Sequence, residues 1–253
     1  MNNIAEHALS KVPEVTLIFW IMKVAATTLG ETGGDAVSMS MNLGYLVGTA
    51  IFAVIFLVAV TAQIKAERFH PFLYWTTIIA TTTVGTTLAD FADRSLGIGY
   101  AGGSLLLLTL LMVSLAVWYR SLGSVSVDTV NSPNEEMFYW MTIMFSQTLG
   151  TALGDWTADT AGLGYRGGAI VFSVLLGLVV VSYYGTNISG TFLFWAAFIL
   201  TRPFGAVVGD FLDKPKNAGG LALSRYSASA ALIVFIVACI LVFPQREGER
   251  AGK

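Results

Sequence analysis

The stretch TLGTALGDWTADTAGLGY, residues 148–165, places two aspartates, Asp155 and Asp159, at the end of a long apolar run. Such runs dominate the chain: 55% of the 253 residues are hydrophobic and only 12% are charged, whereas a soluble domain carries about 25% charged residues. Residues 43–62 contain no charged side chain, and a membrane span needs about 20 mostly apolar residues. The composition therefore predicts a polytopic membrane protein, in which aspartates next to apolar runs need an explanation.

The pattern around Asp155 occurs four times along the chain. In each copy a tryptophan is followed by a glycine at position 10, a small residue at position 14 and an aspartate at position 15, counted from the tryptophan. The two tryptophans of each half are 55 residues apart, so one repeat has been doubled and the pair doubled again. The repeated residues are Trp20, Trp75, Trp140 and Trp195; Gly30, Gly85, Gly150 and Gly205; and Asp35, Asp90, Asp155 and Asp210.

Each copy is long enough for two membrane spans, which defines the predicted fold. The fold class is an all-α polytopic membrane protein, with eight transmembrane helices that form four parallel helical hairpins around a pseudo-fourfold or twofold axis along the membrane normal. Residues 1–253 form a single membrane domain with halves 1–125 and 126–253. The repeats are 13–63, 71–119, 136–184 and 191–243, and the spans lie near 13–33, 42–63, 71–91, 98–119, 136–156, 163–184, 191–211 and 222–243.

The repeats also predict the topology of the chain. Two spans per copy return the chain to the same side of the membrane, so both termini share one side. We expect the odd-numbered helices to be innermost and the tryptophans to lie at the membrane interface. Seven Lys and Arg residues on the terminus side against five on the other favour cytoplasmic termini. The seven are Lys11, Lys65, Arg68, Arg120, Arg246, Arg250 and Lys253, and the five are Arg94, Arg166, Lys214, Lys216 and Arg225.

One face of each odd-numbered helix is polar, because positions 8, 11, 15 and 18 share a face at about 100° per residue. The small residues at positions 10 and 14 form a ridge beside that face, which lets helices approach closely. If the four faces point to a common axis, the repeated aspartates form an acidic ring that binds a metal cation or, without one, holds protons. The predicted metal ligands are Asp35, Asp90, Asp155 and Asp210, with Glu31, Asp93, Asp159 and Asp213 as a second tier.

Two basic residues interrupt the symmetry of this face. Arg202 replaces a Thr or Gln, and we expect it to pair with a carboxylate. Lys23 has no counterpart in the other copies; it either pairs with an acid or extends to the membrane surface.

The chemistry of the ring predicts the function. Oxygen ligands from Asp, Glu, Ser and Thr favour magnesium, calcium or manganese, and zinc also accepts carboxylates. We therefore predict a secondary transporter of a small divalent cation. We expect it to export the cation, and coupling of this export to protons is one option. We expect no enzymatic activity and no tightly bound cofactor. The predicted partners are the lipid bilayer and the cation substrate, because a net charge of −2 leaves no basic surface for nucleic acid.

Several alternatives stay open at the level of sequence. The aspartates could be ordinary helix-end residues in the headgroup region. The protein could be a cation channel, a structural membrane protein, or a transporter of an organic cation with Trp156 and Tyr165 as aromatic walls. An intramembrane aspartyl protease would use paired aspartates in a Gly-x-Gly-Asp motif, but Ala152 and Val207 stand where the first glycine of that motif is needed.

The tandem Trp, Gly and Asp pattern resembles bacterial integral membrane proteins that carry a repeat of unknown function. This resemblance covers roughly residues 15–243 and implies a location in the bacterial cytoplasmic (inner) membrane. The segment GETGGD, residues 30–35, is similar to the acidic Glu-x-Gly-Asp motif of a family of calcium and manganese exchangers, although the spacing here is Glu-x-x-x-Asp. That likeness implies cation exchange.

Overall fold

The computed structural model describes residues 10–248, and these residues are mostly helical. Eight long helices lie within four residues of the predicted span boundaries. A short antiparallel pair of strands, β1 (Ser10–Pro13) and β2 (Glu247–Gly248), joins the two ends of the described chain. The helices are α1 (Leu17–Asp35), α2 (Tyr45–Lys65), α3 (Pro71–Asp90), α4 (Tyr100–Leu122), α5 (Pro133–Asp155), α6 (Gly164–Gly185), α7 (Gly190–Asp213) and α8 (Arg225–Val242).

The odd-numbered helices form the inside of the bundle. Each of them packs against two others, so that α1, α3, α5 and α7 close a four-membered ring. Their inward residues are buried, whereas α2, α4, α6 and α8 expose most of their apolar side chains. The prediction that the odd-numbered helices are innermost agrees with this arrangement.

The even-numbered helices do not pack as the sequence predicted. We expected α1 and α2 to form a hairpin, and likewise the later pairs. Instead α2 packs along α3, α4 along α5 and α6 along α7, while α8 returns to α1 and closes the outer layer. Each even-numbered helix therefore covers the odd-numbered helix of the following repeat.

Three of the four inner helices are more polar than the outer helices, and α7 is the exception. Among the described helices, α2, α4, α6, α7 and α8 are long and apolar enough to cross a membrane. Helices α1, α3 and α5 are similar in length but carry more polar residues. They tolerate this because the outer helices separate them from lipid, so their side chains contact protein instead.

Glycine allows the inner ring to pack closely. A Cβ atom on Gly30 would collide with Thr82, and one on Gly85 would lie 3.1 Å from the carbonyl carbon of Gln147. The equivalent contacts place Gly150 against Arg202 and Gly205 against Thr27. In every case the glycine at position 10 of one repeat meets position 7 of the next, as the predicted small-residue ridge requires.

The tryptophans form an internal layer, so the prediction that they lie at the membrane interface is wrong in one respect, since they pack against protein and do not face lipid as interfacial anchors would. Trp75, Trp140 and Trp195 are buried, and Trp20 is partly buried. Each packs on the aromatic residue that precedes the tryptophan of the neighbouring repeat, so aromatic contact outweighs anchoring in the headgroups. The ring-centroid distances are 5.6 Å for Phe19–Trp75, 5.7 Å for Tyr74–Trp140, 6.3 Å for Tyr139–Trp195 and 5.7 Å for Phe194–Trp20.

This aromatic layer lies at the terminus end of the bundle, where strands β1 and β2 also lie. Trp75 donates a hydrogen bond to Gln245 at 3.3 Å, and Lys11 of β1 forms an ion pair of 2.5 Å with Glu136 at the start of α5. The described ends of the chain therefore share one end of the bundle, as the parallel repeats predict. Arg250 and Lys253 lie outside the described residues.

Candidate cation-binding site

The repeated aspartates lie at the opposite end of the inner ring. Asp35, Asp90 and Asp155 are the last residues of α1, α3 and α5, and each is followed by a single π-helical turn. Asp210 lies three residues before the end of α7. All four are at most 3% exposed. Single π-helical turns next to an α-helix are frequent at functional sites.

Two basic side chains join the four aspartates into pairs. Lys214 lies between Asp35 and Asp210, with its Nζ 2.6 Å from one carboxylate and 2.9 Å from the other. Arg94 lies between Asp90 and Asp155 at 3.0 Å and 3.1 Å. Both residues stand at position 19 of their repeats, one in each half of the chain. The charged ring is therefore twofold rather than fourfold symmetric.

The repeated tyrosines hold Arg94 in place. Its Nε donates a hydrogen bond to the Tyr100 hydroxyl at 3.1 Å, and its Nη1 donates to the Tyr45 hydroxyl at 3.2 Å. These tyrosines are the residues ten positions after the aspartates of the first two repeats. The tyrosine register of the repeat thus orients the guanidinium toward the ring.

Asp213 and Arg225 extend the cluster beside Asp35. Arg225, the first residue of α8, approaches Asp213 at 2.7 Å and Asp35 at 3.5 Å. Carboxylate oxygens of Asp35, Asp210 and Asp213 lie within 4.8 Å of one another, and so do those of Glu31, Asp35 and Asp90. Asp35 belongs to both groups and is the centre of the acidic cluster.

Beneath the ring, a buried arginine occupies the space between the inner helices. Arg202 donates to Glu31 at 3.1 and 3.2 Å and to Thr86 at 2.6 Å, and it also bonds Thr151. Glu31, Thr86 and Thr151 share position 11 of their repeats. In the fourth repeat that position is Ala206. The predicted pairing of Arg202 with a carboxylate agrees with the geometry.

Two of the eight predicted ligands lie apart from this cluster. Asp93 is buried against Gly103 of α4 and has no ion pair within the described residues. Asp159 is exposed to solvent. The structure therefore brings together Glu31, Asp35, Asp90, Asp210 and Asp213, links Asp155 to them through Arg94, and leaves Asp93 and Asp159 at the edge.

The numbers of acidic and basic side chains in the cluster indicate which ligand it can bind. If all groups are ionised, the six carboxylates of the cluster face four basic side chains, Arg94, Arg202, Lys214 and Arg225, and two negative charges remain. Asp35 Oδ1 and Asp213 Oδ1 are buried and have neither a hydrogen bond nor an ion pair among the described residues. Buried carboxylate oxygens of this kind are suited to a hard cation.

Three basic residues that bridge the ring are not among the ligands predicted from the sequence. The charges of Arg94, Lys214 and Arg225 contribute only to the prediction of topology. A signal for two of them was present, since Arg94 and Lys214 lie four residues after Asp90 and Asp210. On a helix this spacing places a base and an acid side by side.

These features define a helical membrane protein of four tandem repeats, with a buried and partly neutralised acidic ring at one end. The profile of the family described as Repeat of Unknown Function (DUF347) matches residues 18–69, 73–124, 138–189 and 193–247. The chain therefore belongs to that family, and each matched segment begins two residues before a repeated tryptophan. No curated protein and no solved structure matches the chain.

Proposed function

We propose that the protein is a secondary transporter that exports a small divalent cation through the aspartate ring. The observation that carries the proposal is the acidic cluster itself, which keeps two uncompensated negative charges and two unpartnered buried carboxylate oxygens. A single divalent cation would balance both charges. Oxygen-only ligands favour manganese, magnesium or calcium, with zinc also accepted.

The basic residues act in this proposal as tethered cations. Lys214 and Arg94 occupy positions between carboxylates that a metal ion would need, and their side chains are 12% and 29% exposed. The aspartates beneath them are almost fully buried. An incoming cation displaces the basic side chains from the carboxylates, and their return helps to release the cation. In this way, binding of the cation is coupled to movement of the basic side chains of the ring.

The closed terminus end supports a carrier rather than a channel. Aromatic side chains of neighbouring inner helices contact one another there, and below the ring Arg202 contacts α1, α3 and α5. A carrier of this design would open alternately to either side. We further propose the bacterial cytoplasmic membrane as its location, with both termini cytoplasmic, so that the ring faces the outside.

Cation flux into proteoliposomes tests the proposal. We expect saturable uptake of manganese, magnesium, calcium or zinc by the wild-type protein, measured with a metal-sensitive dye. Asp35→Asn should abolish uptake while the protein still inserts and folds, because asparagine keeps the shape and removes the charge of the residue common to both carboxylate groups. Asp93→Asn should reduce uptake less.

Asp159→Asn is the matched control, since Asp159 lies four residues after Asp155 but is exposed. It should keep wild-type flux. Dispensability of two or more of Asp35, Asp90, Asp155 and Asp210 for both flux and metal binding would show that the ring is structural. Flux that rises linearly without saturation would identify a channel instead.

A further inference from the structure

Lys23 is a buried basic residue that the ring does not use. It lies in the first half of α1, three residues after Trp20, and is fully inaccessible. Its Nζ has no hydrogen-bond partner and lies 4.0 Å from the centre of the Phe198 ring. Neither outcome expected from the sequence occurs, because Lys23 pairs with no described carboxylate and does not reach the membrane surface.

The neighbours of Lys23 explain why this arrangement is unusual. The residues in its layer of the inner ring are Ile78, Ile143 and Phe198, all fully buried and apolar. The charged residue that acts on it from α7 is Arg202, which repels an ammonium group. The residue that α3 contributes at this depth is Ile78, and the titratable residue that α8 contributes to the adjoining core is Cys239. A permanent ammonium ion would have no compensating charge here.

The next layer toward the aspartates contains polar atoms without partners. It consists of the four residues at position 7 of the repeats, Thr27, Thr82, Gln147 and Arg202. Each of them contacts the position-10 glycine of the preceding repeat, so all four lie at the same depth in the bundle. Thr82 Oγ1, both amide atoms of Gln147 and Arg202 Nε are buried and have no hydrogen-bond partner in the described protein. Ser146 Oγ, one residue before Gln147, is also unpartnered. Buried polar atoms of this kind are normally satisfied by internal water.

We propose that Lys23 is an internal proton-binding site, reached from the aspartate end through water molecules held by this polar layer. The Nζ lone pair takes a proton from a hydronium ion in this chain of water molecules, which leaves an ammonium ion and neutral water, and the reverse transfer gives hydronium back. Entry from the terminus end is blocked by the aromatic layer, in which the Tyr74 and Tyr139 hydroxyls bond to each other at 2.7 Å. Arg202 keeps its charge and carries no proton along the path.

The position of Lys23 would couple protons to the cation transport proposed above, and this coupling rests on that function. A cation at the ring and an ammonium ion at Lys23 repel each other across a protein interior of low polarity. Each therefore favours release of the other. This mutual exclusion is the requirement for exchange of a cation against protons.

Nitrogen NMR of the protein in lipid, with ¹⁵N-labelled lysine, tests the proton site directly. We expect one side-chain resonance to convert between the amine and ammonium positions as the pH is lowered, and to be missing in Lys23→Met. Ile143→Met, a substitution of similar size in the same layer, should leave that resonance unchanged. An ammonium signal for Lys23 at every pH at which the protein stays folded would overturn the proposal.

Proton movement in proteoliposomes tests the coupling, with an internal pH dye and manganese as the added cation. The wild type and Ile143→Met should move protons against manganese, whereas Lys23→Met should lose this proton movement but still bind manganese at the ring. Unchanged proton movement in Lys23→Met would overturn the coupling. A wild type that moves no cation at all would contradict the proposed function, and the NMR result would still decide the role of Lys23.

Discussion

Position 19 of the repeat holds four different residues, and this difference determines how the ring is neutralised. The residues are Met39, Arg94, Asp159 and Lys214 in chain order. The two bases each bridge the aspartate of their own repeat and that of the following repeat, with α1 following α7 around the ring. The four inner helices therefore have approximate fourfold symmetry, whereas their charges have twofold symmetry, because each base forms ion pairs with two aspartates.

Replacement of Lys214 by methionine tests whether this base competes with a cation. The change leaves Asp35 and Asp210 buried with Arg225 as the closest remaining base, at 3.5 Å from Asp35. Loss of one partner from a buried ion pair costs about 3 kcal/mol, so we expect lower thermal stability without metal. Affinity for manganese, measured by titration calorimetry, should rise by about tenfold or more because the tethered competitor is gone.

Lys216→Met provides the control, because Lys216 is exposed two residues further along the chain. It should change neither stability nor affinity. If Lys214→Met loses stability and its manganese affinity stays the same or falls, Lys214 is a structural counter-ion only.

At this scale the sequence predicted the acids better than their partners. The aspartates recur at one register, so a repeat alignment finds them without any knowledge of packing. The pairing of Lys214 with Asp35 could not be predicted, because these residues are 179 positions apart and meet only when α7 packs on α1. The tryptophans were misplaced for a similar reason, since an interfacial and an internal aromatic ring have the same sequence pattern.

The odd-numbered helices show how an element can be polar and still lie within a membrane protein. Their threonines bond largely to the backbone of the preceding turn, as Thr77, Thr83 and Thr148 do, so these hydroxyls need no partner on another helix. Close approach then depends on the glycines at position 10. The sequence predicted this ridge, because small residues at a spacing of four produce it in any helix.

The glycine contacts predict opposite effects of two glycine-to-alanine changes. A methyl group on Gly205 would collide with the side chain of Thr27 and lie 3.0 Å from its carbonyl carbon, so α1 and α7 would have to separate. We expect Gly205→Ala to destabilise the protein by about 1–3 kcal/mol. Unfolding in detergent, followed by circular dichroism, measures this change.

Gly177 of α6 is the matched control, because nothing lies within 4 Å of the position that its Cβ would take. Alanine is the better helix former by about 1 kcal/mol, so Gly177→Ala should stabilise the protein or leave it unchanged. Equal stability of the Gly205 and Gly177 variants would mean that the inner helices do not pack as closely as described.

At the scale of the whole molecule, each outer helix covers the next repeat, and the last outer helix covers the first. Thr32 of α1 and Ser229 of α8 bond to each other at 2.9 Å across this closure. The sequence predicted eight helices, the inner set and the shared side of the termini, because these follow from period and polarity. It could not predict which neighbour an outer helix covers, since the apolar faces of α2, α4, α6 and α8 are interchangeable in composition.

The two ends of the bundle differ in their number of basic residues and in how these residues are paired. At the aspartate end, Arg94, Lys214 and Arg225 are bound in ion pairs with carboxylates of the ring, which leaves Arg166 and Lys216. At the terminus end, Lys11 pairs with Glu136, and Lys65, Arg68, Arg120 and Arg246 form no described ion pair. Arg250 and Lys253 add to this end in sequence. By sequence the terminus side also has the larger number of Lys and Arg residues, seven against five, and this count favours a cytoplasmic terminus end.

Reporter fusions measure this orientation in bacterial cells. Green fluorescent protein fused after Lys253 should fluoresce, and alkaline phosphatase at the same place should be inactive, because that enzyme folds only outside the cytoplasm. A phosphatase fusion after Gly219, in the segment between α7 and α8, should give the opposite result. Active phosphatase after Lys253 together with inactive enzyme after Gly219 would invert the molecule, and the aspartate ring would then open toward the cytoplasm.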